Sequence, residues 1–307
     1  MAWANRMIIV SRLTSVLLLI MGCASPESIA RSVNVAVEAP AIQQPAEPAN
    51  RRSASANSTP APLDSESQTE QQLFDLANRS RRQAGSSPLT LDAGLSKAAR
   101  LHAIEMRKAH ELSHQFAGEP SLDQRLAATT QLLLDREGEN VALDYDAEHA
   151  HQHLMLSPPH RANLLNPAFN VVGMGVVRAG DQLYIVEDFG HAVPRYSAAA
   201  AKDRIAAAVN QVRRQAREPD LQRSDLPAAD GVACSMAKAD KLRSGPIHEL
   251  GEPLAVLTYT SFHPETLPAG ASHEIASRNL HSFSIGVCYR RTKTYPTGAY
   301  WVVLSLQ

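Results

Sequence analysis

Imidazole and carboxylate side chains occur in three short polar segments in the middle of the chain. His114 follows a serine, Glu139 lies in the segment Glu-Gly-Glu-Asn-Val-Ala at 137–142, and His160 lies in the proline-flanked segment 157–167. These residue types bind metal ions and perform acid–base chemistry. The three residues are 25 and 21 positions apart, whereas local zinc motifs place ligands about three to five residues apart. Only the tertiary fold can therefore bring them together.

A second group of histidines, His149, His151 and His153, lies on a predicted short helix just before Ser157. His149 and His153 are four residues apart on one helix face, and such a pair can chelate a metal ion. Exposed histidines on a polar helix face are the commoner explanation. The three could instead form a pH-sensitive surface, because imidazole titrates between about pH 5 and 8.

The composition limits the classes of function. At roughly 150 residues per domain, 307 residues allow two domains, and 44% hydrophobic with 20% charged residues is an ordinary globular mixture. A net charge of −1 gives no reason to expect nucleic acid as a partner. Three cysteines, at 23, 234 and 288, exclude a disulfide-dense miniprotein and a four-thiolate zinc site. Any bound metal must therefore be held by histidine and carboxylate.

The first 22 residues are predicted to be a lipoprotein-type signal peptide. Arginines precede the apolar run 13–21, which is about half of the ~20 residues needed to span a bilayer. The next residues, Ile-Met-Gly-Cys at 20–23, resemble the bacterial lipobox, in which the cysteine receives lipid. We therefore expect lipid on Cys23 and a position in the bacterial cell envelope, with the outer membrane favoured because no Asp follows Cys23. An ordinary cleaved signal with an incidental cysteine is the alternative.

Residues 23–67 are rich in Pro, Ala, Ser, Gln and Asn. Such a composition cannot bury enough apolar surface to offset the entropy of ordering. This segment is predicted to be a disordered tether that its prolines keep extended. Nothing catalytic is expected there.

Helices are predicted before strands in the next part of the chain. The first helix covers about 70–85, where a glycine ends it, and the second begins at Asp92, a favourable N-cap. Residues at helical spacing line one face of the second helix: Leu95, Ala98, Ala99, His102, Met106. A histidine on such a stripe is more often a satisfied core residue than a ligand. Residues 171–177 and 182–189 are β-type runs around a short turn, so a hairpin and an α+β fold are predicted.

The order of these segments resembles the CAP superfamily, which comprises cysteine-rich secretory, antigen 5 and pathogenesis-related proteins, in its bacterial SCP-like form. The family pattern has "SH" after the second helix, then "GEN-I/V-A", "SPxHRxNL" and a strand ending "QDFG". The matching segments are 78–82 with 88–92, 113–114, 137–142, 157–167 and 184–190. Glu187 occupies the usual Gln position. The resemblance covers roughly residues 68–195.

This resemblance implies a three-layer α-β-α sandwich in which His114, Glu139 and His160 converge on the floor of an open cleft. Asn140, Ser157 and Glu187 are expected to line it. Two imidazoles and one carboxylate are suitable ligands for Zn²⁺, with a position left for water. Ser157 followed by proline is a favourable helix start, which would place His160 in the first turn, where the helix dipole favours neutral imidazole.

One acid of the family's eukaryotic members is missing, because Ser157 occupies its position. A single cleft carboxylate, Glu139, cannot both ligate a metal and serve as a separate general base, so zinc-peptidase chemistry is poorly supported. Glu187 could supply another acid. The remaining alternative is that these residues form a buried polar network that braces the cleft.

The last part, residues 198–307, is predicted to be an α/β domain and a degenerate copy of the first. Residues 210–216 repeat 78–84 at five of seven positions; chance similarity of arginine-rich helices is the alternative. This copy lacks the cleft motifs, which indicates a packing or partner domain. In the family fold Cys234 and Cys288 would lie on elements that pack together, so a disulfide is expected in an oxidising compartment. Two free thiols are the alternative.

The leading hypothesis is an exported, lipid-anchored binding module whose cleft recognises a small-molecule, peptide or envelope ligand, with or without a metal ion. The alternatives are a metal-dependent hydrolase acting on peptide or wall material and an anchored structural spacer. The membrane is expected as a partner only through the N-terminal lipid.

Overall fold

The computed structural model describes residues 7–11, 64–224, 226–242 and 246–307. Two β-sheets organise this part of the chain, one of four strands and one of five. Helices cover both faces of each sheet, so each half has the α-β-α layering that was predicted for the first.

The first half runs from 64 to 193. Its elements are α1 (Asp64–Gln83), β2 (Thr90–Leu91), α2 (Ala93–Ala109), α3 (Leu122–Thr129), β3 (Leu133–Asp144), α4 (Ala147–Leu156), α5 (Pro158–Leu164), β4 (Val171–Ala179) and β5 (Gln182–Val193). The sheet order is β2-β4-β5-β3, with β2 parallel to β4 and the other pairs antiparallel. Strand β3 therefore forms one edge of the sheet.

Two apolar cores form the three layers of the first half. On one face, Ala99, Ala103 and Met106 of α2 pack against Val141 and Val186. On the other face, α1 and α4 cover the alternate residues of β4 and β5. This arrangement follows from the two-residue period of strands combined with the apolar stripes of the helices. The N-cap predicted at Asp92 is confirmed, since its side chain accepts a hydrogen bond from the backbone N–H of Leu95.

The second half repeats this topology. Its elements are α6 (Ala198–Gln215), β6 (Gln222–Ser224), α7 (Pro227–Ala239), β7 (Ala255–Ser261), α8 (Ala271–Ile275), β8 (Ser282–Arg290) and β9 (Ala299–Leu306). The order β6-β8-β9-β7 matches β2-β4-β5-β3, and β6 is parallel to β8 as β2 is to β4. One further strand, β1 (Met7–Ser11), pairs antiparallel with the outer edge of β7.

The sequence repeat has the same structural role in both halves. The side-chain oxygens of Asn78 and Asn210 accept the backbone N–H of Leu89 and Leu221, respectively. Three residues further along each helix, a buried arginine donates to backbone carbonyls. Arg81 donates to four carbonyl oxygens, and Arg213, its counterpart in the second half, donates to three. The matched segments therefore fix the first helix of each half to the following loops in the same way.

Close helix–strand packing is also repeated. A Cβ added at Gly173 or Gly175 of β4 would overlap the backbone of α2, and one at Gly286 of β8 would overlap the backbone of α7 at Ala229. Glycine is needed at these positions because the helix lies directly on the strand.

One predicted boundary changes. Helix α1 begins at Asp64, so the tether predicted over 23–67 is at least four residues too long, and the rest of it lies outside the described residues. Of the predicted signal peptide, only Met7–Ser11 is described, as β1. Cys23 also lies outside the described residues. Across the described ranges, every helix is too short or too polar to span a bilayer.

The second half contacts the part of the first half that carries the candidate site. The Arg291 side chain donates to the carbonyls of Ala127 and Thr130 at the end of α3, at 2.8 and 2.7 Å. The Thr297 hydroxyl bonds both backbone groups of Leu134 at the start of β3. The second half therefore braces α3 and β3.

A half-buried carboxylate adds to this contact. Asp135 lies at a register irregularity of β3, and its two oxygens bond His191 of β5 and His263 of the second half, both at 2.6 Å. A bulge of this kind re-aims a side chain away from the regular ladder.

A disulfide joins Cys234 of α7 to Cys288 of β8, with Cα atoms 5.0 Å apart. It closes a loop of 54 residues inside the second half, at the two elements for which the pairing was predicted.

Removing this disulfide with Cys234→Ala and Cys288→Ala should lower the free energy of unfolding by about 2–4 kcal/mol, because the unfolded chain regains the entropy of the open loop. Urea denaturation measures the change, and dithiothreitol should lower the stability of the native chain but not that of the double variant. Two reactive thiols in the unreduced, denatured native chain would contradict the pairing.

Candidate functional site

The candidate site lies at the edge strand β3. Glu139 pairs with Asp188 of β5, and Asn140 pairs with Glu187. Because side chains alternate along a strand, Glu139 and Asp188 face the α2 and α3 side, whereas Asn140 and Glu187 face α5. The edge therefore presents two polar pairs to opposite layers of the sandwich.

His114 and Glu139 meet at this edge, as the sequence resemblance implied. His114 lies in the loop after α2, and its Nδ1 donates to Oε1 of Glu139 at 2.8 Å. The His114 side chain is 56% exposed, whereas that of Glu139 is 3% exposed. A buried carboxylate thus fixes an imidazole that is open to solvent.

His160 reaches the same region from the other layer. It is the third residue of α5, which begins at Pro158 after the N-cap Ser157. Burial lowers the pKa of His160, and the nearby charge of His114 lowers it further. The expected neutral imidazole is therefore favoured, although burial rather than the helix dipole is the main cause. The hydroxyl of Ser157 makes no capping hydrogen bond.

Helix α5 is attached to β3 by amide side chains. Asn163 donates to the backbone oxygen of Glu139 and to the side chain of Asn140, and Asn140 donates to the backbone oxygen of His160. These bonds hold the first turn of α5, and with it His160, against the strand.

Asn140 and Glu187 do not line the cleft, which corrects the prediction. Neither has any exposed surface, because α5 covers their face of β3 and β5. Glu187 Oε2 accepts a 3.0 Å hydrogen bond from Nδ2 of Asn140, and Oε1 has no partner. Both residues support the cleft from beneath. Ser157 is half-buried at the start of α5.

Arg125 on α3 is the main partner of Glu139. Its Nη2 lies 2.8 Å from Oε2 of Glu139, and its Nη1 lies 3.6 Å from Oε1 of Glu119. Glu119 in turn accepts a bond from Nδ1 of His102, whose Nε2 is bonded to the backbone oxygen of Ser113. His102 is fully buried with both nitrogens bonded, and it is therefore a satisfied core histidine, as favoured from the sequence.

Asp188 adds a third carboxyl group around this guanidinium. It is fully buried. Burial and the neighbouring charge of Glu139 raise its pKa well above the usual range, and Arg125 opposes this only in part. Burial and the charge of Glu139 therefore favour the protonated form of Asp188. Sequence reasoning missed Arg125, Glu119 and Asp188, because only the fold brings them to Glu139.

The histidines of α4 do not form one exposed face. His149 bonds Asp146, and His153 bonds Asp144 at 2.6 Å. His151 is buried against Ser80, and burial lowers its pKa. Each of the two exposed rings is therefore held by a carboxylate through Nδ1, which leaves its Nε2 free.

No group of three His, Cys, Asp or Glu side chains within the described ranges is arranged to hold a metal ion. At the cleft, both oxygens of Glu139 are already bonded, one to His114 and one to Arg125. Glu139 therefore supports His114 through a hydrogen bond and is not available as a third metal ligand.

The Glu187→Gln variant should be more stable than the native chain at high pH. Burial raises the pKa of Glu187 to about 7. The folded state therefore binds more protons than the unfolded state, and stability falls as pH rises from about 4.3 to 7. Glutamine avoids this loss and can still accept from Asn140. The gain should grow from near zero at pH 4 to roughly 2–4 kcal/mol at pH 8.

Urea denaturation across this pH range measures the difference, with exposed Glu111→Gln as the control. A pH-independent difference between Glu187→Gln and the native chain would show that Glu187 titrates normally.

Part of the chain is similar to one known protein family. Residues 74–189 match the model of the cysteine-rich secretory protein family, CAP. No curated protein matches the chain.

Several solved structures are similar to it. An extracellular SCP-domain protein from Bacillus anthracis is 29% identical over 44% of this chain and 45% of its own, with a TM-score of 0.40. An outer surface protein from Borrelia burgdorferi is 20% identical over 41% and 94%, with a TM-score of 0.39. A cysteine-rich secretory protein from Staphylococcus aureus is 22% identical over 42% and 40%, with a TM-score of 0.35. The chain thus spans less than half of the Bacillus and Staphylococcus proteins.

The matched segment, residues 74–189, contains His114, Glu139 and His160, and over this segment the chain is similar to the cysteine-rich secretory protein family, CAP.

Proposed function

We propose that the chain is an exported, lipid-anchored binding module of the bacterial cell envelope, and that its cleft binds a ligand through the imidazoles of His114 and His160. One observation carries the proposal. A solvent-exposed imidazole is fixed by a buried carboxylate, at 2.8 Å, beside a second histidine whose neutral form is favoured.

The bond to Glu139 occupies Nδ1 of His114 and leaves Nε2 for a ligand. A carboxylate that holds one ring nitrogen is the usual support of a metal-binding histidine, because it fixes the tautomer and the ring orientation. A divalent zinc-like ion would therefore be held by His114 and His160, with Glu139 as support for His114. Such an ion would supply a Lewis acid with positions open to an external ligand.

Binding is better supported than hydrolysis. A hydrolase needs a carboxylate or another base that can reach a water molecule in the cleft. Both oxygens of Glu139 are occupied, and Asp188 and Glu187 are fully buried. The site thus offers two imidazoles for contact, and the carboxylates of Glu139, Glu187 and Asp188 are not available to activate water beside them.

The predicted leader and the disulfide both support the exported location. Structural disulfides persist in oxidising compartments such as the periplasm and the cell surface. The lipobox-like residues precede Cys23, and 40 residues separate that cysteine from the start of α1 at Asp64. This spacing would let the folded part stand away from an anchoring membrane.

Zinc titration by calorimetry tests the cleft. The native chain should bind one Zn²⁺, and His114→Ala or His160→Ala should each weaken binding at least about tenfold, or ~1.4 kcal/mol, because each removes one of two ligands. His149→Ala is the matched control and should bind as the native chain does. Equal heats for all four proteins would remove the metal from the proposal, and melting curves with and without zinc provide a second readout.

The anchor is tested separately in a bacterial host. The native chain should fractionate with membranes and incorporate labelled palmitate, whereas Cys23→Ser should do neither, because it lacks the thiol that carries the lipid. Cys234→Ala with Cys288→Ala is the control, and it should stay membrane-bound. Equal membrane fractions and no label in either protein would refute lipidation.

A further inference from the structure

A second cavity lies beside the cleft, on the α2 side of the sheet. It is enclosed by α2, α3 and the loop between them, and its volume is about 480 Å³. Pockets for small ligands typically measure about 300–1,000 Å³. His114, Glu139 and His160 do not line it, so it is a separate site from the cleft.

The walls of this cavity are mainly apolar. Ala98 and Leu101 of α2, Phe116 and Pro120 of the loop, and Ala128 of α3 contribute to them. Leu101 is 50% exposed, which leaves apolar surface in contact with water at the cavity. A ligand that covered this surface would gain the corresponding hydrophobic free energy.

The charged groups of the cavity are already compensated. Glu119 accepts hydrogen bonds from His102 and from the backbone N–H of Phe116. Glu105, at the exposed end, is paired with Lys108. Arg125 lies between two carboxylates, Glu119 and Glu139. A ligand with a carboxylate would lie near these acids and would find no unpaired cation in the cavity. A ligand with an ammonium group would find no unpaired acid there.

Two donors of Arg125 remain without an acceptor. The side chain is 8% exposed, and its Nε and Nη1 are buried with no hydrogen-bond partner. Such unsatisfied buried donors cost about 1–3 kcal/mol each. Because the charge of Arg125 is balanced, a neutral oxygen acceptor satisfies these donors without adding charge.

We infer that this cavity binds one small, uncharged and largely apolar molecule that carries a carbonyl or hydroxyl oxygen, with the oxygen directed to Arg125. Arg125 also holds Glu139 of the cleft, so the site is tested with substitutions that lie outside the cleft and leave Arg125 unchanged.

A matched series of probes that share an eight-carbon chain tests the ligand class. Methyl octanoate, octanoate and octylammonium are titrated into the full chain carrying Cys23→Ser, which needs no detergent, and binding is followed by calorimetry. The ester should bind at least about tenfold more tightly than either ion. Failure of the ester to bind, or equal or tighter binding of octanoate, would overturn the inference.

A filling substitution tests the location. Ala128 is exposed on α3 and lines the cavity, so Ala128→Phe should weaken ester binding at least about tenfold without disturbing the core. Ala109→Phe, at an exposed alanine of α2 outside the cavity, is the control and should bind the ester normally. Leu101→Glu, which places a charge at the cavity, should weaken binding of the ester as well. Unchanged ester affinity in both cavity variants would show that the ester binds elsewhere.

Discussion

The contact between Arg125 and Glu139 is the constraint on which the cleft depends. It joins α3 to the edge strand β3 and holds Glu139 in the position from which it supports His114. Desolvated charges are costly, so the pair is favourable only as long as both partners are present. The same guanidinium also faces Glu119 and lies near Asp188, whose pKa is raised by burial and by Glu139. The cleft is therefore the exposed end of a buried polar network rather than an isolated set of surface ligands.

The second half has lost the cleft motifs but keeps the fold that supports them in the first half. Arg291 and Thr297 contact the end of α3 and the start of β3, which are the segments that position Arg125 and Glu139. Asp135 extends this contact through His263. The repeated domain thus serves as a packing partner, which is the role that its sequence predicted, and the partner it braces is the first domain.

Sequence reasoning succeeded where local patterns carry the information. The N-cap at Asp92, the core position of His102 and the approach of His114 to Glu139 could all be predicted, from capping chemistry, helical spacing and a family resemblance. The repeated Asn-x-x-Arg segment correctly indicated a second copy. Arg125 and Glu119 could not be found, because an isolated charged residue gives no signal until the fold brings it to its partners. Asp188 belongs to the QDFG-type motif, but the motif alone did not indicate that it pairs with Glu139. Strand alternation could have shown that Glu139 and Asn140 face opposite sides, had β3 been recognised as a strand.

The disulfide lies wholly in the half without a cleft, between α7 and β8. The cleft itself is held only by non-covalent contacts. A reducing environment would therefore act on the cleft at a distance, by loosening the domain that supports α3 and β3 while leaving every cleft residue chemically intact.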